Sequence, residues 1–154
     1  MEVNRLIDFI ETTLIERARA LLADGHVQAF FVHAAVSIEF LGAFLDKKPL
    51  RARQQSKERF QRSLEVFFPP SYAYVNQKGL LYDQFRNHVV HSFLPSSRLR
   101  LVHDPSLASM HLKRQEGKLI LEAGQMLLHL ETAAKQLQLG LKKERYPLKW
   151  MEGL

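Results

Sequence analysis

Cysteine does not occur among the 154 residues. Its absence excludes a disulfide framework, thiolate catalysis and the four-ligand zinc sites built on cysteine, and it fits a reducing, cytoplasmic setting. Glycine is sparse at seven residues, and nowhere does it form a phosphate-cradling loop. A helical His-Glu-x-x-His and a nucleophile elbow are missing as well. The start of the chain carries Glu2, Asp8 and Glu11 among its apolar residues, so the basic start and unbroken apolar run of an export signal are not expected. The most apolar run, Ala29 to Leu45, is interrupted by His33, Ser37 and Glu39. It falls short of the roughly 20 residues a membrane helix needs, so a buried helix and no membrane partner are expected.

What the chain has in excess is positive charge, and it is localised. Residues 1–46 hold three basic and seven acidic side chains, whereas 47–62 hold seven basic and one acidic, which equals the net +6 of the whole chain. Residues 98–118 add five basic against two acidic. Polyanions suit such segments, and Lys47, Lys48, Arg51, Arg53 and Lys57 are the candidate nucleic-acid contacts. The alternative is a solvated loop and helix face.

With 46% hydrophobic residues the chain supports one domain with a real core. Leu6, Phe9, Ile10, Leu14, Ala18, Leu21 and Leu22 recur at helical spacing over residues 3–23, and Gly25 is a natural stop. A second helix, Val27 to about Leu45, is apolar on most of its circumference and should run through the core as the partner of the first in an antiparallel hairpin. A third is expected over Arg53 to Phe67, ended by Pro69 and Pro70, and a fourth from near Gly79 to Phe93, stopped by Pro95. Residues 98–103 and 110–122 then read as two or three short strands with a turn at Glu116 and Gly117. Helical spacing returns from Ala123 to Leu141. In the tail, Tyr146, Leu148 and Trp150 are candidates to strap onto the body.

The stretch Tyr82 to Pro95, YDQFRNHVVHSFLP, concentrates polar chemistry. On a helix turning 100° per residue, Tyr82, Phe85, Val89 and Phe93 fall within about 80° of one another and form a core-facing stripe. Asn87 and His91, four apart, share the opposite face, with Arg86 on the flank. Leu80, Val90 and Leu94 also point toward that outer side, which calls for a cover. A second copy of the same helix across a two-fold axis is the natural one. Glu39 on the apolar second helix either is solvated at a rim or, if buried, needs a partner such as Arg86.

An arginine, a polar residue and a histidine after four to six intervening residues occur at Arg86, Asn87 and His91. Arg19–His26 and Arg98–His103 share the spacing, but only Arg86 is followed by asparagine on an amphipathic helix close to a proline. This motif resembles that of the HEPN domains (higher eukaryotes and prokaryotes nucleotide-binding), and the preceding FFVHAAVSIEFLGAFL resembles their acid-bearing central helix. The likeness covers roughly residues 3–141. It implies a mainly α up-and-down bundle of about five helices, here with a β-hairpin or three-stranded insertion at about 98–122, as one domain over 1–141 with a tail at 142–154. It further implies a homodimer through the helix carrying Arg86 and His91, and a metal-independent endoribonuclease of toxin or defence type, leaving 2′,3′-cyclic phosphate and needing no cofactor.

In that chemistry His91 is the acid or base, Arg86 contacts the phosphate, Asn87 holds phosphate or orients His91, Glu39 positions Arg86, and His88 supports. The other reading is a non-catalytic dimerisation module or nucleotide-binding regulator, as one half of an antitoxin or other protein pair. Phe93 departs from members with tyrosine two residues after the histidine, so nucleotidylation there is not expected. Elsewhere, a hairpin could set His103 beside His111, but without carboxylates this is no metal site. His33 and His129 read as satisfied boundary histidines.

Overall fold

Leu6, Ile10, Leu14, Ala18 and Leu22 are all buried, so the spacing read from the sequence is the face that docks. Helix α1 runs over residues 2–23 in consecutive segments Glu2–Phe9, Ile10–Glu16 and Arg17–Ala23, the middle one π-wound. The structure, a computed structural model, describes residues 2–149; Trp150 lies outside them. Gly25, at φ +77°, turns the chain into helix α2, Val27–Gly42 with a 3-10 turn Ala43–Leu45.

Helix α2 is the centre of the molecule. Phe30, Phe31, Ala34, Ala35, Ile38 and Leu41 are at most 1% exposed, and the Phe31 ring meets Phe85 edge-on at 6.1 Å. By length and composition Val27–Leu45 is apolar enough to cross a membrane. Here most of its large apolar side chains are covered by the other elements, although Val36 is 49% exposed. Helix α3, Ser56–Phe67, lies so close to α2 that a Cβ on Gly42 would collide with the Arg59 backbone carbonyl.

The third helix starts three residues later than the spacing predicts. Residues 51–55 turn instead, with Gln54 at φ +57°, a backbone setting that a right-handed helix cannot include. After Pro69 the chain does not form a plain loop but helix α4, Pro70–Val75, because proline at a first helical position has no N–H to lose and a preset φ. Tyr72 from α4 is fully buried. A 3-10 turn Gln77–Gly79 leads into helix α5, residues 80–92, in which Tyr82–Arg86 is π-wound and Asn87–Ser92 α-helical.

Three strands follow: β1 Leu99–Val102, β2 Arg114–Gln115 and β3 Lys118–Glu122, ordered β1-β3-β2. The β2–β3 hairpin turns at Glu116 and Gly117, both with positive φ (51° and 79°), as a tight two-residue turn requires. Strand β1 pairs with β3 in parallel, Leu99 opposite Leu119 and Leu101 opposite Leu121. Helix α6, Ala123–Lys142, is capped by Glu122, which accepts from the Gly124 and Gln125 amides, and packs Met126, Leu130, Ala134, Leu137 and Leu141 inward. The chain is therefore mainly helical, with a small three-stranded sheet ahead of its last helix.

Of the tail residues expected to strap onto the body, Tyr146 does so, whereas Leu148 is 43% exposed. The Tyr146 ring lies over Gly140 and meets Phe67 at 5.7 Å. Lys149 Nζ donates to the Asp46 carboxylate at 3.0 Å and to the Asp46 and Lys48 carbonyls.

Candidate functional site

Helix α5 changes its winding at the motif. The Asn87 amide donates to the Tyr82 carbonyl five residues back, and this wider turn ends where the α-helical segment of Asn87 and His91 begins. π-turns of this kind are frequent at functional sites. The widening also alters the side-chain directions that uniform winding predicts. Phe85 and Val89 are buried as expected, but Tyr82 is only partly buried.

Phe93 departs further from the predicted stripe: it is 63% exposed. The helix ends at Ser92, and Phe93 takes a left-handed backbone (φ 63°, ψ −10°), which turns its ring out of the core-facing stripe.

Arg86 is the most constrained member of the motif. Its Nε donates to Oε2 of Glu39 at 2.9 Å, its Nη2 lies 2.8 Å from the same oxygen as an ion pair, and Nη1 donates to Asn87 Oδ1 at 3.1 Å. The guanidinium also lies over the Tyr82 ring, 5.4 Å from its centroid, a cation–π contact. The side chains of Arg86 and Glu39 are 16% and 24% exposed. Of the two readings open for Glu39, the structure realises the pairing with Arg86. Nε and Nη1 thus each donate one hydrogen bond while Nη2 pairs with the carboxylate, and among the described residues both terminal nitrogens keep N–H capacity for a further acceptor.

His91, on the exposed side of α5, lies one turn beyond Asn87. Asn87 Oδ1 is turned to Arg86 and not to His91. His88 is exposed, and its carbonyl accepts from Ser92 Oγ at 2.7 Å. Of the apolar residues expected on the outer side, Val90 packs against the edge of the core, whereas Leu94 is 54% exposed beside Phe93.

The basic segment is organised around an acid. Asp46 accepts from Arg59 Nε at 2.8 Å, from Arg59 Nη2, from the Lys48 amide and from Lys149. Burial alone would raise its carboxyl, but these hydrogen bonds outweigh that and hold it down at about 2. Arg59 also donates to the carbonyls of Pro49 and Leu50 and is 6% exposed, so its charge holds the loop together and does not face solvent. Lys47, Lys48, Arg51 and Arg53 are exposed on that loop. Lys57 reaches the motif helix: its Nζ is 3.8 Å from Asp83 and 5.9 Å from the Tyr82 ring that Arg86 also contacts.

The other arginine–histidine spacings carry different partners. Arg19 pairs with Glu131 at 2.9 Å, and Arg98 is exposed at the start of β1. His33 is satisfied by the Leu14 carbonyl.

His111 does not join His103. Because β1 pairs with β3 in parallel and not with β2, the hairpin that would align the two does not form; His111 meets His129 on α6 instead. Tyr72 Oη lies between them, 2.7 Å from His111 Nε2 and 2.8 Å from His129 Nδ1. Sequence reasoning missed this group because its members are 18 to 57 residues apart. The one available signal was a tyrosine and two histidines on apolar segments, each needing a polar partner. Among the described residues no cluster of three or more metal-ligating side chains occurs. Comparison of the chain with protein-family models, with curated proteins and with solved structures finds no match in any of the three.

Proposed function

We propose that this chain is a HEPN-like homodimer, one domain over residues 1–141 with a tail at 142–154, that binds RNA at a two-fold cleft and cleaves it without metal in a cytoplasmic setting. The observation that carries this reading is Arg86, held in place by Glu39, Asn87 and Tyr82 with N–H capacity to spare on its terminal nitrogens, on the same helix as the exposed His91. A preorganised guanidinium is what a phosphate that gains charge in the transition state needs, since no reorganisation is required as the charge develops.

In the reaction the RNA 2′-oxygen attacks the adjacent phosphorus. One His91 takes the 2′-hydroxyl proton, the O2′–P bond forms and the P–O5′ bond breaks. The His91 of the second copy delivers a proton to the departing 5′-oxygen, leaving a 2′,3′-cyclic phosphate. Glu39 positions Arg86, and Lys57 with Lys47, Lys48, Arg51 and Arg53 steers the strand electrostatically. The exposed Phe93 and Leu94 provide the apolar part of the surface across which the two α5 helices meet.

A second reading has its own observation. Glu39 already balances the Arg86 charge, and Phe93 with Leu94 offers apolar contact, so the same surface suits a non-catalytic module that docks a second copy or an antitoxin-like protein. One experiment separates the two. Incubation with RNA in EDTA should yield cyclic-phosphate ends, and His91→Ala should slow their appearance by about 10²–10⁴-fold while the sedimenting species stays a dimer. Cleavage retained in His91→Ala would overturn the catalytic assignment, and a dimer that never cleaves would leave the docking module.

A further inference from the structure

Tyr72, His111 and His129 come from three separate elements: helix α4, the crossover between β1 and β2, and helix α6. Their protons can be placed from the hydrogen-bond network. The backbone N–H of Glu122 donates to His111 Nδ1 over 2.9 Å. That nitrogen must then offer its lone pair, and a neutral imidazole with Nδ1 as acceptor carries its proton on Nε2. His111 Nε2–H therefore donates to Tyr72 Oη, and Tyr72 passes its own hydroxyl proton to His129 Nδ1. The chain has one direction, from the Glu122 amide through His111 and Tyr72 to His129.

This order leaves His111 Nε2 without a lone pair, so the pair of histidines is not set up to hold a metal ion. It also makes the cluster intolerant of acid. A proton arriving at His111 Nδ1 meets the Glu122 N–H head-on. One arriving at His129 Nδ1 displaces the Tyr72 hydroxyl proton, which has no other acceptor among the described residues, and Tyr72 is fully buried.

Among the described residues no opposite charge raises either histidine. From α4 the group meets Tyr72, from α6 His129, and from the end of β3 Glu122, whose carboxylate accepts from the Asp104, Gly124 and Gln125 amides. Burial, reinforced by the proximity of His129, pushes His111 down to about 4, and burial lowers His129 too.

The far end of the crossover is fixed to the sheet, where the Leu112 amide donates to the Ile120 carbonyl, the Ile120 amide donates to the Lys113 carbonyl and β2 pairs with β3, but the part ahead of it, residues 103–111, has little else to hold it. No residue of its 3-10 turn Pro105–Met110 is buried, and beyond His111 only Leu112, at 9% exposure, joins the core from residues 103–116. Segments with so few buried apolar contacts open at low free energy. We propose that Tyr72, His111 and His129 form an acid-released clasp, which holds the crossover at residues 103–111 against helices α4 and α6 near neutral pH and frees it when either histidine is protonated, while the helical body stays folded. The proposal is independent of the ribonuclease reading.

Hydrogen–deuterium exchange of the full chain, corrected for intrinsic rates, tests it. Between about pH 7 and about pH 5, peptides across 103–111 should exchange about twentyfold faster, the ratio that one histidine with a pKa of 6.5 open and about 4 closed produces. Peptides of α2 and α3 should not change. Tyr72→Phe, which keeps the ring packing, should show fast exchange across 103–111 at both pH values. The double variant His111→Gln, His129→Gln should lose the acceleration, and His103→Gln, an exposed control, should retain it. Equal exchange at the two pH values, acceleration that persists in the double variant, or acceleration that spreads to α2 and α3 would each overturn the clasp.

Discussion

At the residue scale, Arg86 shows how a surface motif becomes a fixed one. The face shared by Asn87 and His91 was legible from their spacing, because i and i+4 lie together on any α-helix. The partner of Arg86 was not, since Glu39 is 47 residues away and only packing brings α2 against α5. Glu39→Ala would leave a guanidinium that is 16% exposed without its counter-charge. Unfolding free energy should fall by about 1–3 kcal/mol, less than for a fully buried pair because both groups keep some contact with water. Glu39→Gln retains one acceptor and should cost less. Urea midpoints at constant m separate the two, and equal midpoints for wild type and Glu39→Ala would show that the pair contributes nothing.

At the scale of elements, α2 and α3 approach so closely at Gly42 that a Cβ there would overlap the Arg59 carbonyl oxygen. Gly42→Ala has to push the Arg59 backbone aside, and because helices shift only as units the cost should be about 1–3 kcal/mol, read as a lowered thermal midpoint. Gly25→Ala meets open space, but it strains a φ of +77° and should also destabilise, by about 1 kcal/mol. Element identity and order were readable where periodicity was long, as in α1, α2 and α6. It failed where local chemistry overrode it. Pro70 starts a new helix where the two prolines were expected only to end α3, Gln54 delays α3, and the left-handed Phe93 leaves a stripe that its spacing assigned to the core.

At the scale of the whole molecule, Asp46 links the loop 46–50, α3 and the tail through Arg59 and Lys149. Its carboxyl ordinarily titrates near 3.8 and is held at about 2 in the fold. The stability this represents is present above pH 3.8, where the group is ionised folded or unfolded. It is lost as the pH falls from 3.8 towards 2, because the unfolded chain takes up the proton first. The loss should reach about 2 kcal/mol, measured as a drop in unfolding free energy across that window. Asp46→Asn should abolish this part of the pH dependence, and an unchanged slope in that variant would place the acid sensitivity elsewhere. The window lies below that of the histidine clasp, so acid should first free the crossover and only then unfold the body.

By itself, the sequence determined the helical class, the position of the short strands, the central helix and the polar face of α5, since each follows from the period at which apolar residues recur along a few turns. The tertiary structure alone decided that Arg86 is locked to Glu39, that Arg59 is structural among the exposed cations of its loop, and that His111 answers to Tyr72 and His129 and not to His103. These are contacts between groups far apart in the chain. Periodicity says which way a side chain points, but the group it meets depends on how helices and strands pack, and no local pattern records that.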